Sequence, residues 1–122
     1  MTSQQYLTTI YTSEDAFTAA THTFINHNYP ELRRLYFHVP NESATNMAMR
    51  LKLHSCGVLA GVPDFCFIYP SLWFLELKIK SGRLSEKQVE LHKLWRSKGI
   101  IVEVAFTPQQ VIDAIENNIV IL

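Results

Sequence analysis

Residues 72–80 read LWFLELKIK, and the alternation in this stretch restricts the fold more than any other feature of the chain. On a β-strand, Trp73, Leu75, Leu77 and Ile79 share one face, while Phe74, Glu76, Lys78 and Lys80 share the other. The first face demands a core, so the chain must build a sheet with at least one covered side. The second face carries three charges in a row, which reads either as a solvated surface or as a site.

The flanking segments supply the rest of the sheet and its cover. A helix is expected from Ser13 through SEDAFTAATHTFIN, with Phe17, Ala20, Phe24 and Ile25 near one face and Pro30 beyond its end. LYFHV is a short strand stopped by Pro40. ATNMAMRLKLHSCG reads as a helix with Met47, Leu51 and Met49 inward and Gly57 in the C-terminal capping position. FCFIY and LWFLELKI are strands joined around Pro70 and Ser71, and SEKQVELHKLWRSKG is a helix with a Ser cap and a closing Gly. IIVEVAF is a strand, and PQQVIDAIENN opens a last helix with Pro in its first turn. The order α, β, α, β, β, α, β, α gives an α/β mixed sheet flanked by helices, in one domain over residues 1–122.

Composition excludes several classes. With 48% hydrophobic and 18% charged residues the chain is an ordinary globule. No apolar run is long enough for a bilayer, and the N-terminus lacks the pattern of a signal peptide, so no membrane partner and a cytoplasmic location are expected. Cys56 and Cys66 read as free thiols. Together with His54 and His92 they lack zinc-ligand spacing, and no zinc is expected. The zero net charge is segregated. All eleven Lys and Arg lie between Arg33 and Lys98 against five acids there, leaving +6 in the middle and −3 at each end. A basic middle suits a polyanion, and equally a solvated surface.

The charged strand face becomes a candidate site through Asp64. If the hairpin turns on Pro70 and Ser71 alone, Asp64 faces Leu77 on the core side. A three-residue connection, 70–72, sets Asp64 opposite Lys78 and one step from Glu76. The second register suits the charges and gathers two carboxylates and an ammonium on one sheet face, the outline of a metal and phosphate site. Gln88 has capping-box spacing from Ser85, yet it also lies on the helix face of Leu91 and Trp95 and points inward, where an amide would bind water or phosphate.

GVPD, eleven residues, ELK, then SGRLSEKQ and SKGIIVEV are together similar to the VRR-NUC branch of the PD-(D/E)XK nucleases, in its stand-alone phage and bacterial form. The resemblance runs from about Glu14 to Ile115 and rests on the order and spacing of these pieces. It implies a restriction-endonuclease-like αβββαβ core. It also implies that Asp64, Glu76 and the main-chain carbonyl of Leu77 hold Mg2+ or Mn2+, and that Lys78 orients water and steadies charge on the scissile phosphate. Glu14 corresponds to the helical glutamate of the family, with adjacent Asp15 as the alternative, and Gln88 falls at the family glutamine. Lys80, Arg83, Lys87 and Asn41 are candidate DNA contacts, with His38 near Asn41 at the mouth of the site.

The resemblance implies a metal-dependent DNA endonuclease that hydrolyses phosphodiester bonds. It further implies a homodimer on branched DNA such as four-way junctions, in a bacterial or phage-infected cytosol. Trp73, Phe106 and the C-terminal IVIL are the candidate interface residues. A catalytically silent DNA-binding or assembly module and a small-molecule phosphodiesterase remain as alternatives.

Overall fold

A computed structural model describes residues 2–40 and 46–119. The elements are α1 (Ser3–Thr8), α2 (Glu14–Asn28), a 3-10 turn (Pro30–Leu32), β1 (Tyr36–His38), α3 (Met47–Ser55), β2 (Phe65–Phe67), β3 (Trp73–Leu77), α4 (Glu86–Ser97), β4 (Ile101–Ala105) and α5 (Pro108–Asn118). The strands form one sheet in the order β1-β2-β3-β4, antiparallel across the first two pairs and parallel between β3 and β4. The parallel pair is the one joined through a helix, α4, as a parallel connection requires.

Alternation along the strands sorts the side chains onto two faces. Phe65, Phe67, Trp73, Leu75 and Leu77 pack with Tyr6, Phe17, Phe24 and Ile25 of α1 and α2 and with Val111 and Ile115 of α5. Cys66, Phe74 and Val102 pack on the other face with Trp95 of α4. Each fully buried large apolar side chain contributes roughly 1.5–3 kcal/mol, so the first and larger face carries most of the stability. Phe67 and Trp73 are cross-strand partners whose rings stack with centroids 4.0 Å apart. That pair pins the β2–β3 register, and the register places everything on the opposite face.

One helix was not expected from the sequence, and one expectation about a helix face is corrected. The segment 3–8, which carries no apolar period, forms α1, capped reciprocally by Thr2 and Gln5 and anchored by fully buried Tyr6. Met47, Met49 and Leu51 do not face inward: α3 has no buried residue, and Met47 is 66% exposed. A short apolar stripe records which residues share a helix face but not whether anything covers it. Of the three interface candidates, Trp73 is 1% exposed and belongs to the core. Phe106 is half-buried, and most of the C-terminal IVIL lies outside the described residues. No helix among the described residues is long and apolar enough to cross a membrane.

Candidate metal and phosphate site

The hairpin connection is longer than the sequence indicated, running from Ile68 to Leu72, with Phe67 opposite Trp73 and Phe65 opposite Leu75. One step further, Asp64 comes opposite Glu76 instead of Lys78. The reason is the aromatic stack, which closes the hairpin at Trp73 and leaves five residues in the loop. Since this register differs by two residues from the expected one, the face is unchanged, and Asp64, Glu76 and Phe74 share the side covered by α4.

The two carboxylates have different partners. Asp64 Oδ2 accepts the Leu77 backbone N–H at 2.7 Å, which ties the entrance of β2 to the end of β3. Glu76 is 2% exposed; its Oε1 accepts a 3.3 Å hydrogen bond from Gln88 Nε2, while its Oε2 is buried with no hydrogen-bond partner. Burial, and then repulsion from Asp64, push the Glu76 carboxyl far above the usual carboxylate range, against the pull of Lys78. A proton on the pair, or a cation beside it, would relieve this arrangement.

The two ends of the Gln88 amide have different partners. Its Oε1 accepts the Ser85 N–H at 2.8 Å, and the Ser85 hydroxyl oxygen accepts the Gln88 N–H, which completes a capping box at the start of α4. The amide oxygen is thus held at the helix start, and this turns the amide nitrogen toward Glu76. Lys78, 8% exposed, lies 3.8 Å from Glu14 Oε1 at the first residue of α2. Asp15 is exposed beside it, so of the two adjacent acids Glu14 is the one that meets Lys78. Gly82 leaves room for this contact, because a Cβ there would lie 3.2 Å from Glu14 Oε2.

Lys80, Arg83 and Lys87 are exposed after β3 and in the first turn of α4. Asn41 lies outside the described residues. His38 Nδ1 is 2.8 Å from the Asp64 main-chain oxygen, so the ring borders the strand entrance. Among the described residues no three His, Cys, Asp or Glu side chains converge closely enough to enclose a metal ion by themselves. The donor set is two carboxylates, one with an orphaned buried oxygen. It fits a hard cation such as Mg2+, which keeps several waters and needs few protein ligands.

One residue at the site was not singled out for it by sequence reasoning. His92 follows Gln88 by one helical turn, is fully buried, and has no hydrogen bond of good geometry at either nitrogen. Burial, with the nearby Arg96 charge, holds its proton affinity below the ordinary histidine value, partly offset by the Gly61 main chain. The i, i+4 spacing from an inward Gln88 was the available signal.

No family model and no curated protein sequence matches the chain. Among the solved structures that match it in shape are two of known domain type. One, described as a VRR_NUC domain protein, has a TM-score of 0.74 at 20% identity and covers 89% of each chain. The other, described as a VRR_NUC domain, has a TM-score of 0.53 at 18% identity over 84% of this chain and 97% of its own. With a four-stranded mixed sheet and a parallel β3–α4–β4 crossover, the chain shares the fold of these VRR_NUC domain structures.

Proposed function

We propose that the chain is a divalent-metal-dependent endodeoxyribonuclease, with Asp64, Glu76 and the main-chain carbonyl of Leu77 as ligands and Glu14 reaching the ion directly or through water. The observation that carries this reading is the orphaned, buried Oε2 of Glu76 beside a second carboxylate. An all-oxygen donor set of this kind selects Mg2+ or Mn2+. When bound, such an ion acidifies a coordinated water and neutralises charge on the phosphoryl oxygens.

The protein groups do the remaining work. Gln88 holds the Glu76 carboxylate in orientation through its amide nitrogen. Lys78, anchored by Glu14, presents an ammonium from the same strand to the scissile phosphate and to the attacking water. Exposed Lys80, Arg83 and Lys87, with Asn41, contact the backbone phosphates that position the strand. The substrate we favour is branched DNA, including four-way junctions, cut by a two-fold dimer whose two sites make symmetric incisions. Exposed Met47, Met49 and Leu51 on α3 support an interface there.

Linear, flap and four-way-junction DNA titrated with Mg2+ or Mn2+ test the reading. The expected result is metal-dependent cleavage, strongest on branched substrates, lost in Glu76→Gln. Cleavage unaffected by that substitution would end the nuclease assignment. A strict monomer in light scattering that still makes paired incisions would end the dimer assignment alone.

A further inference from the structure

A second chemically loaded feature lies away from the carboxylates, where the C-terminal half of α2 meets β1. A cavity of about 420 Å3 is lined there by His22, Asn26, His27, Arg33, Arg34 and Tyr36. Two of these six side chains are guanidinium groups and none is acidic, so the cavity favours an anion.

Its walls are fixed by the sequence. Pro30 has no N–H to offer the Asn26 carbonyl four residues earlier, and Arg33 Nε donates to that carbonyl at 2.8 Å instead. This contact anchors the guanidinium and leaves its Nη donors without a partner among the described residues. Tyr36 Oη donates to the His22 main-chain oxygen at 3.3 Å and lies 2.6 Å from His22 Nδ1. Asn26 Nδ2 is 3.2 Å from His22 Nε2. With the amide as placed, Nδ1–H donates to the hydroxyl and Nε2 accepts from the amide. These contacts make the imidazole an oriented wall, and the fixed charge comes from the arginines. Arg34 has φ 67°, a left-handed conformation uncommon for a residue with a Cβ, and it makes no ion pair among the described residues. The chain thus holds an unpaired guanidinium in a disfavoured conformation beside an anchored one.

Planar guanidinium forks match phosphate oxygens, and the cavity has room for a phosphate with its sugar. Its distance from Glu14, whose carboxylate meets Lys78, is also suitable. Residues 22 and 26 lie eight and twelve positions along α2 from Glu14, roughly 12–18 Å at the helical rise. That span covers roughly four or five nucleotides of one DNA strand.

We infer that this cleft is a second phosphate-binding site, which takes a backbone phosphodiester of the same nucleic acid whose scissile bond lies at Asp64 and Glu76. The inference rests on the nuclease reading of that pair. It is tested by fluorescence anisotropy of labelled duplex and junction DNA in Ca2+ over a series of salt concentrations, with wild type, Arg34→Gln, Arg33→Gln/Arg34→Gln and Glu76→Gln. Arg34→Gln removes an exposed group without hydrogen bonds and leaves the fold in place. The expected result is a loss of affinity of about 3- to 10-fold, alike for every DNA sequence, with the salt slope reduced by about 1 per lost phosphate contact. The cleavage rate at saturating DNA stays at the wild-type value. Unchanged affinity and salt slope in both arginine variants overturn the inference and leave the nuclease reading standing. If wild type binds no DNA, both fall. If inorganic phosphate shifts the His22 and His27 ring resonances while the arginine variants bind DNA normally, the cleft takes a free phosphate, and the inference is again overturned.

Discussion

Replacing Glu76 by Gln should stabilise the metal-free protein while abolishing cleavage. The folded protein holds a proton on Glu76 more tightly than the unfolded chain does, because burial and Asp64 both oppose ionisation. The stability of such a group is fully present below its unfolded pKa and is lost as pH rises toward the folded one. The unfolded chain ionises Glu76 near the ordinary value of 4.5. Keeping the proton at pH 7 then costs about 3 kcal/mol, and relaxation of the site lowers the recoverable part to about 2–3 kcal/mol. Gln keeps the shape and the oxygen that accepts from Gln88, and it has no charge to desolvate. Urea unfolding in EDTA at pH 5, 6, 7 and 8 measures the difference between the two proteins. The gain should be small at pH 5 and grow with pH. Comparison at each pH is needed because buried His92 acts in the opposite sense, its contribution being lost as pH falls through the histidine range. Mg2+ or Mn2+ should then stabilise wild type by mass action and the variant much less. A Glu76→Gln protein no more stable than wild type at pH 8 in EDTA would refute the argument.

Asp64→Ala should cost about 1–3 kcal/mol, because the Leu77 N–H loses its acceptor. Asp64→Asn keeps an acceptor and most of the stability, and neither variant should cleave; chemical denaturation beside a cleavage assay separates the two effects. Lys78→Ala should retain metal-dependent stabilisation and lose about 10²-fold or more in rate at saturating DNA, and a variant that cuts at the wild-type rate would remove Lys78 from the mechanism. Gly61→Ala should lower stability by about 1–3 kcal/mol, since Gly61 has φ +88° and a Cβ there would lie 2.8 Å from the Lys87 carbonyl oxygen. It should also reduce cleavage, because this contact seats the loop before Asp64 on the turn of α4 that carries Gln88.

The sequence by itself determined the local choices. Alternation in LWFLELKIK made β3 and divided its two faces, and Ser caps with a closing Gly bounded α4. The order of elements, read from period and punctuation, gave the α/β class. These features depend on neighbours within a few residues, which a linear pattern records. What tertiary structure decided were relations between distant segments. The hairpin register came from the stacking of Phe67 on Trp73, and this set Asp64 opposite Glu76. Spacing posed capping and an inward position as alternatives for Gln88, yet its amide has two ends, one on the Ser85 N–H and the other on Glu76. The exposure of α3, the burial of Tyr6 and the arginine cleft between α2 and β1 depend on which surfaces meet. A side-chain pattern fixes which residues share a face, whereas burial, the cost of a charge and the partner of a polar atom are set by whatever packs across from that face.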